Sequence, residues 1–476
     1  MQNPYNASET RNPNLSPYVL LVFIALGLLM ITIDMTIVTV AMPRIMDSLN
    51  ASLDEIVWVL NAYTLAIAVL LIVSGKLGDI IGQKNTFVFG LVLFTISSAL
   101  CGLSSTPLEL IGARTLQGVG AAVLLPQTMA MIVAIFPAEN RGAAFGIWGS
   151  VAAVGSVVGP TLGGLLVSDI GWQWIFYINV PVGVIAIIGS LLLLPPLKLG
   201  KHHKLDWLGL VLITVSLFGI NFALIEGQRY NWSTVWNFIS IPIIIAGSVV
   251  LLMLFLLAES KSDEPIIPLN IFKFRNFSLM SFIIAAVSFG LIGLFIPFMV
   301  FLQSVLGYSA LKAGLVLVPG PATAMIIAPI SGRLTDRIDP RPIVGLGLLG
   351  FASGLWLFTH TASLSSTWSS MILPLVLIGA GMGLTFAPVT TLAMRDVEGG
   401  MAGAASSVFN TIRQFGVVLG AAIVGAVLQS QLASNLPTEA KLYSASLPIE
   451  VRPYFIRAFL KIASSGFKIG PAKTQV

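Results

Sequence analysis

The sequence predicts an all-α polytopic membrane protein, and three observations support this fold class. The 476 residues are 56% hydrophobic and only 9% charged, whereas soluble domains carry roughly 25% charged residues. Apolar runs of about 20 residues, enough for a helix to cross a bilayer, recur along the chain. Alternating segments of about ten residues, typical of a membrane β-barrel, are not the prevailing pattern. A large soluble protein is therefore excluded.

We predict thirteen membrane spans in three groups. Residues 18–195 form an N-terminal six-helix bundle, 206–258 an inserted pair of spans, and 277–430 a C-terminal bundle of at least five spans. Residues 431–476 form a basic amphipathic tail or a short, degenerate fourteenth span. The predicted spans are 18–42, 56–74, 86–104, 108–135, 142–167, 174–195, 206–225, 238–258, 277–303, 311–331, 342–360, 370–394 and 403–430.

The basic residues predict the orientation of the chain. With the N-terminus in the cytoplasm, fourteen Lys and Arg residues lie in cytoplasmic segments and four lie on the other side up to residue 450. This asymmetry is what the positive-inside rule requires. Residues 451–476 would begin outside, yet they carry five further basic residues. Both an interfacial helix and a shortened span fit that charge.

Several classes of function are disfavoured by the residues themselves. No nucleophile–base pair, metal motif or phosphate loop recurs, so we predict a transporter rather than an enzyme. His202 and His203 stand in a lysine-rich loop with no third metal ligand near them in the sequence. The single Cys101 rules out an intramolecular disulfide. The net charge of +5 comes from short loops between spans and does not indicate nucleic-acid binding.

Two ionisable residues, Asp34 and Arg114, lie inside predicted spans. Burial favours the neutral form of a carboxyl group, so an acid at this depth can take up and release a proton. A guanidinium inside a membrane costs roughly 3 kcal/mol or more unless it is paired or faces water. We predict that Asp34 couples transport to protons and that Arg114, which needs a partner at this depth, has a functional role. The alternatives are that Asp34 is a structural partner of Arg114, or that Arg114 extends to the membrane surface.

A short motif occurs twice in predicted cytoplasmic loops. Residues 75–85 read GKLGDIIGQKN and residues 332–341 read GRLTDRIDPR, which share G-[KR]-L-x-D. Repeated halves with the substrate handled between them are a common plan of transporters. The second copy has Asp339 where the first has Gly82. The residues predicted to act in these loops are Gly75, Asp79, Gly82, Arg333 and Asp336.

Six stretches resemble the major facilitator superfamily, in particular its fourteen-span drug:proton antiporters of the EmrB/QacA type. They are IDMTIVTVAMPRI (33–45), GKLGDIIGQK (75–84), RTLQGVGAA (114–122), GSVVGPTLGG (155–164), WQWIFYINVP (172–181) and NTIRQFGVVLGAA (410–422). They stand in the family's order from about residue 30 to 430. Gln173 replaces a residue that is usually basic, and a clear fourteenth span is missing.

The resemblance implies a major facilitator fold of two six-helix bundles with an inserted helix pair. It also implies that the repeated loops act as a conformational latch, that Arg114 takes part in proton transfer, and that the fifth-span motif is associated with export. Small residues at four-residue spacing let helices approach closely, and a proline bends its helix. The residues of that motif are Gly155, Gly159, Pro160, Gly163 and Gly164.

Further polar and aromatic residues within the spans are candidates for a substrate path. We expect Arg413 to make structural hydrogen bonds more readily than to contact substrate, and Glu226 to be an acid at the outer interface. Trp58, Asn61 and Tyr63 resemble an aromatic pattern of the family's second span. The candidates are Trp58, Asn61, Tyr63, Gln117, Asn410 and Arg413.

These observations predict proton-coupled efflux of amphipathic, cationic drugs or toxic compounds by alternating access. The expected location is the inner (cytoplasmic) membrane of a prokaryote. The expected partners are small-molecule substrates and the lipid bilayer, with an unidentified membrane-fusion-type partner as a further possibility. No cofactor is expected besides protons as the coupling ion. Two alternatives stay open, a narrow-specificity metabolite exporter of the same fold and a non-transporting membrane sensor.

Overall fold

The structure is a computed structural model in which long helices dominate. It describes residues 16–196, 206–227, 229–262, 265–308, 310–364, 366–397, 401–444, 451–455 and 457. Thirteen helices in the described part of the chain are long and apolar enough to cross a membrane, as the sequence predicts. Most of the segment considered for a fourteenth span lies outside the described residues.

Six of these spans form the N-terminal half. Capping boxes at Ser52–Glu55 and Thr106–Glu109 begin the second and fourth helices, because each side chain satisfies a free backbone amide of the first turn. The sixth span is interrupted at Ile178. The helices are α1 (Pro17–Leu49), α2 (Leu53–Ile81), α3 (Gln83–Leu103), α4 (Pro107–Ile135), α5 (Arg141–Asp169), α6 (Trp174–Tyr177) and α7 (Asn179–Leu193).

Two inserted spans follow, α8 (Trp207–Glu226) and α9 (Ile241–Glu259). They pack against each other, and α8 also contacts α2 and the last long helix. A small antiparallel hairpin joins them, made of β1 (Thr234–Trp236) and β2 (Ile239–Ser240). The inserted pair thus lies beside the place where the two halves meet.

Five spans of the C-terminal half are described. Its helix α10 ends in a π-helical turn, Phe301–Val305, and a break at Val318 before Pro319 separates α11 from α12. The helices are α10 (Arg275–Val300), α11 (Ala310–Leu317), α12 (Pro319–Thr335), α13 (Pro340–Thr361), α14 (Trp368–Arg395) and α15 (Ala402–Ser444).

Several predicted boundaries differ from the helices in the structure. Helix α1 continues seven residues past the predicted end at 42, and α2 continues to Ile81, so the first G-K-L-x-D copy is mostly helical. Helix α15 reaches Ser444, beyond the predicted boundary at 430.

The two halves meet along α5 with α12 and along α2 and α4 with α15. We call the end that carries Lys84, Arg141 and Arg337 the basic end, and the other the opposite end. Most side chains in the most apolar stretch of α4 are buried within the protein, whereas few side chains in the most apolar stretch of α9 are buried. Helix α4 therefore belongs to the protein core, and α9 presents an apolar surface suited to lipid.

Candidate functional site

Asp34 and Arg114 form an ion pair in the interior of the N-terminal half. The Arg114 Nη1 donates to Asp34 Oδ2 at 2.5 Å, and the side chains of Arg114 and Asp34 are 1% and 0% exposed, respectively. Asp34 lies near the middle of the 33-residue helix α1. Arg114 does not reach the surface.

Further polar groups surround Asp34. Gln117 Nε2 donates to Asp34 Oδ1 at 2.9 Å, and the amide of Asn179 approaches the same oxygen at 3.5 Å. Both amides also donate to Ser98 Oγ. The threonines of α1 near this acid donate to backbone carbonyls, Thr36 to Gly155 O among them. Asp34 thus sits in a polar cluster contributed by α1, α3, α4 and α7.

Arg114 is positioned by α2 as well as by α1. Its Nε donates to the backbone oxygen of Val59 at 3.2 Å. Its guanidinium carbon lies 4.0 Å from the centre of the Tyr63 ring, a cation–π distance. Two sides of the guanidinium are thereby fixed by one helix. A change in the charge of Asp34 would alter the contacts of both α1 and α2.

The charge of Asp34 can change by one unit in this arrangement if the ion pair with Arg114 breaks. An ion pair that is fully removed from water is stable only while both charges are present, since either charge alone pays the full cost of burial. Protonation of Asp34 would leave Arg114 with Gln117 Oε1, at 2.8 Å, and Val59 O as its acceptors. The chemistry available here is therefore proton exchange coupled to the breaking of one ion pair.

Asp79 links the two halves at the basic end. Its Oδ2 accepts a hydrogen bond of 3.0 Å from the backbone amide of Ala404, in the first turn of α15. The free amides at a helix N-terminus carry a partial positive charge that favours a carboxylate. Gly75, one turn earlier on α2, lies directly against Gly403 and Ser407. We call this contact the Asp79 latch.

Asp336 makes the matching contact in the second copy of the motif. Its two oxygens accept from the backbone amides of Gly142 and Ala143 at 2.7 and 2.8 Å, at the start of α5. Burial raises the pKa of this carboxyl group above its ordinary value, and the two amide hydrogen bonds oppose that rise. We call this contact the Asp336 latch.

Other predicted latch residues are placed differently. Gly75 lies within α2 rather than in a loop, and only Gly82, at φ 96°, makes the sharp turn into α3. Arg333 is exposed and makes no hydrogen bond or ion pair with the residues that the structure describes. Asp339 caps α13 by accepting from Arg341 N at 3.1 Å. The contacts of the second motif therefore centre on Asp336.

The glycines of α5 lie against α1. A Cβ atom on Gly155 would collide with Thr32, one on Gly159 with Thr36, and one on Gly163 would meet Ile37 at 2.9 Å. Gly164 follows Gly163 and therefore points about 100° away on the helix. Pro160 lies within α5 and approaches Gly314 of α11. The stripe Gly155, Gly159 and Gly163 thus brings α5 against the helix that carries Asp34.

The predicted substrate-path residues divide into three places. Tyr63 and Gln117 belong to the ion-pair cluster. Trp58 and Asn61 face the inserted helix α8: Trp58 packs on Phe222, and Asn61 donates to Glu226 at 2.9 Å.

Glu226 is the last residue of α8, as expected for an acid at the end of its span, but it is only 2% exposed and also pairs with Arg229 at 3.2 Å. Asn410 and Arg413 form the third group, on α15 between the halves. Asn410 donates to Met129 Sδ and to Ser406 O. No hydrogen-bond partner of Arg413 is found among the described residues, so the structural hydrogen bonds expected for it are not present there.

Sequence reasoning missed Ser98 and Asn179, which lie in the Asp34 cluster, and the backbone groups of Val59, Gly142 and Ala404. A polar residue within an apolar span was a usable indication for Asn179. Backbone donors and acceptors are present at every position, so no residue type marks the other three.

The comparisons with known proteins point to one family over most of the chain. The family model described as Major Facilitator Superfamily matches residues 24–421. An uncharacterised transporter of this type from Mycobacterium tuberculosis is 40% identical over 434 residues, 90% of this chain and 73% of the relative. Multidrug resistance protein 3 of Bacillus subtilis is 34% identical over 416 residues, 86% of this chain and 79% of the relative.

The tetracenomycin C resistance and export protein of Streptomyces glaucescens is 32% identical over 435 residues, 91% of this chain and 79% of the relative. Among solved structures, the human organic anion transporter TETRAN aligns with a TM-score of 0.63 at 14% identity, over 95% of this chain and 98% of that one. At that identity the likeness shows the fold alone. The chain is a multi-pass integral membrane transporter that belongs to the Major Facilitator Superfamily.

Proposed function

We propose that this protein exports amphipathic small molecules from the cytoplasm in exchange for protons, by alternating access of its two halves. Its relatives carry names of drug resistance and export. The cytoplasmic membrane is the proposed location, with the basic end and the N-terminus facing the cytoplasm. The inserted pair α8 and α9 fits the fourteen-span antiporter subtype. The observation that carries proton coupling is the fully buried ion pair between Asp34 and Arg114.

The structure corresponds to a state in which the basic end is closed. Two further hydrogen bonds between the halves accompany the latches, from Ser406 Oγ to Pro126 O at 2.9 Å and from Ser150 Oγ to Met325 O at 2.9 Å. In the proposed cycle a proton enters from the opposite end and neutralises Asp34. The loss of the ion pair shifts α1 and α2, and the latches open toward the cytoplasm, where substrate binds.

The contacts offer a route for this coupling. Helix α2 carries Tyr63, stacked on Arg114, and also Asp79 of the first latch. Helix α5 begins at the second latch and packs through its glycine stripe on α1 beside Asp34. Each latch is therefore connected to the ion pair through one or two rigid helices, the kind of two-state element that coupling requires.

The cationic charge expected of the substrate stays a prediction. It rested on a free carboxylate at Asp34, and in the closed state that carboxylate is paired with Arg114. A cation could bind there only after Arg114 had moved away.

Proton exchange in everted membrane vesicles tests the proposal. A preset proton gradient, reported by a pH-sensitive dye, should partly collapse when ethidium or a neutral or acidic amphipathic compound is added to vesicles with the protein. Asp34→Asn should abolish this response. Asp47→Asn is the matched control, because Asp47 lies on the same helix but is exposed. Equal responses from Asp34→Asn and the unaltered protein would show that Asp34 does not couple transport to protons.

Growth of an efflux-deficient host on a panel of dyes, antiseptics and antibiotics measures the breadth of substrates. Protection against one compound only would indicate the narrow-specificity exporter. No transport of any compound in vesicles, with the protein present in the membrane, would favour the sensor.

A further inference from the structure

Arg413 is a charged side chain with no ion-pair partner in the part of the chain that the structure describes. It lies eleven residues into α15, about 16 Å from the start of the helix at 1.5 Å per residue. A guanidinium stays protonated at any physiological pH, so its charge is permanent. Its Nε is buried without a partner, while the side chain as a whole is partly exposed. The end of the guanidinium can therefore reach a ligand.

The neighbours of α15 show where Arg413 points. Gly416 and Gly420 pack on the backbone of α10 at Ala285 and Phe289. Asn410 instead contacts Met129 of α4. With about 100° per residue, Arg413 falls between these two faces of α15. Helices α10 and α4 belong to different halves, so Arg413 points into the space between the halves.

No acid among the described residues pairs with Arg413. The described acids from residue 275 to residue 444, namely Asp336, Asp339, Asp396 and Glu439, lie at or beyond a helix end or in the last turns of α15. Asp34 pairs with Arg114, and the buried Glu226 pairs with Arg229. A guanidinium without an ion-pair partner is costly in the membrane interior unless a ligand or water compensates its charge.

An apolar cavity begins one turn further toward the opposite end. It has a volume of about 250 Å³ and lies between α2, α8 and α15. Val417, four residues after Arg413, forms part of its wall. The lining residues are Asn61, Thr64, Leu224, Ile225, Val417, Val418, Ala421 and Ala422. Arg413 does not line the cavity but lies one helical turn from its wall at Val417. A cation at this distance from an apolar cavity matches a molecule with one acidic group and a hydrophobic body.

We propose that Arg413 and this cavity form a binding site for amphipathic compounds that carry a carboxylate or a similar anionic group. The carboxylate accepts charge-assisted hydrogen bonds from the guanidinium, and the apolar body occupies the cavity. The identification of the bound compound as transported cargo rests on the proposed export function. The site itself is a statement about binding and can be tested without transport.

Three probes with the same pyrene body test the charge preference: 1-pyrenebutyrate, 1-pyrenebutanol and pyrenylbutyl-trimethylammonium. Binding is measured by equilibrium dialysis with the full chain in lipid nanodiscs, and empty nanodiscs give the lipid background. We expect the unaltered protein to bind the butyrate at least tenfold more tightly than the butanol. Arg413→Gln should remove that difference, and Arg413→Lys should keep part of it.

Arg395→Gln serves as the matched control, since Arg395 ends α14 and is exposed. Equal binding of butyrate and butanol by the unaltered protein, or tighter binding of the ammonium probe, would overturn the proposal without need of any variant. The proposal would also be overturned if Arg413→Gln weakened the binding of all three probes to the same degree. If vesicles show no proton exchange but the butyrate preference stands, the export proposal fails and the anion site holds. If vesicles show proton exchange but the protein does not prefer the butyrate, the anion site fails and the export proposal stands.

Discussion

Asp79 and Asp336 make the same contact from opposite halves of the molecule. Each carboxylate belongs to the last residue of one copy of the G-[KR]-L-x-D motif. It accepts hydrogen bonding from the backbone at the start of a helix in the other half, α15 for Asp79 and α5 for Asp336. The interface at the basic end is therefore held by two similar contacts. A carboxylate at a helix N-terminus can be released without breaking a packed core, which suits a contact that opens in every cycle.

Asp79→Asn and Asp336→Asn should each loosen the basic end. An amide offers one accepting oxygen, so Asp336→Asn places an NH₂ group against a backbone N–H, and Asp79→Asn loses the favourable charge. Hydrogen bonds to charged groups contribute about 1.5–3 kcal/mol, enough to shift a closed population substantially. Spin labels at the exposed positions Glu139 and Arg337 should report longer distances in both variants.

Asp339→Asn is the matched control for these variants, because Asp339 caps its own helix α13 and holds no helix of the other half. Unchanged distances in Asp79→Asn and Asp336→Asn would mean that the latches do not keep the basic end closed. The single native Cys101 is buried, so the labels are directed to the introduced cysteines.

Closure should depend on pH through Asp336. Burial raises the pKa of this carboxyl group in the closed state above the ordinary 3.8, whereas an open basic end exposes it to water. The closed state therefore binds the proton more tightly, and closure gains stability as the pH falls from the raised pKa toward 3.8. A neutral carboxyl group still offers two oxygens to the amides of Gly142 and Ala143.

The same pair of spin labels, measured at pH 7.5 and pH 5, checks this sign. Asp336→Asn should abolish the part of the change that belongs to Asp336. A basic end that opens on acidification in the unaltered protein and not in Asp336→Asn would contradict the assignment.

The sequence predicted the spans and the two interior charges because apolar length and buried ionisable residues follow from solvation alone. It offered the pairing of Asp34 with Arg114 as an alternative but did not predict the further polar partners. Asn179 reaches Asp34 because α7 packs beside α1, and Ser98 of α3 accepts hydrogen bonds from the amides of Gln117 and Asn179. The latch partners are backbone amides that no residue type marks. Arg333, which repeats the basic position of the motif, lies exposed on α12.

Gly159→Ala should disturb the contact between α5 and α1. A Cβ atom there would collide with the Thr36 hydroxyl, which already donates to α5 at Gly155 O. Overpacking of this kind costs typically about 1–3 kcal/mol, and here it displaces the helix that carries Asp34. We expect transport to fall at least tenfold while the protein still reaches the membrane.

Gly149→Ala on the same helix is the control for that change. A Cβ atom at Gly149 would meet only Ala328 Cβ, at an ordinary 3.7 Å, so transport should be retained. Equal activities of the two variants would show that the close approach of α5 to α1 is not needed.

Removal of one partner of the central ion pair should destabilise the protein more than removal of both. Arg114→Gln leaves Asp34 ionised in a site without water, and Asp34→Asn leaves an uncompensated guanidinium. Breaking a buried pair in this way costs about 3–5 kcal/mol. The double variant Asp34→Asn, Arg114→Gln buries two amides that can hydrogen-bond to each other, so its unfolding temperature in detergent should lie above those of both single variants. Additive losses in the double variant would mean that the two residues stabilise the fold independently.

Neither the double nor the single variants should exchange protons, because none retains both charges. Stability and coupling can therefore be separated: the double variant restores the first without the second.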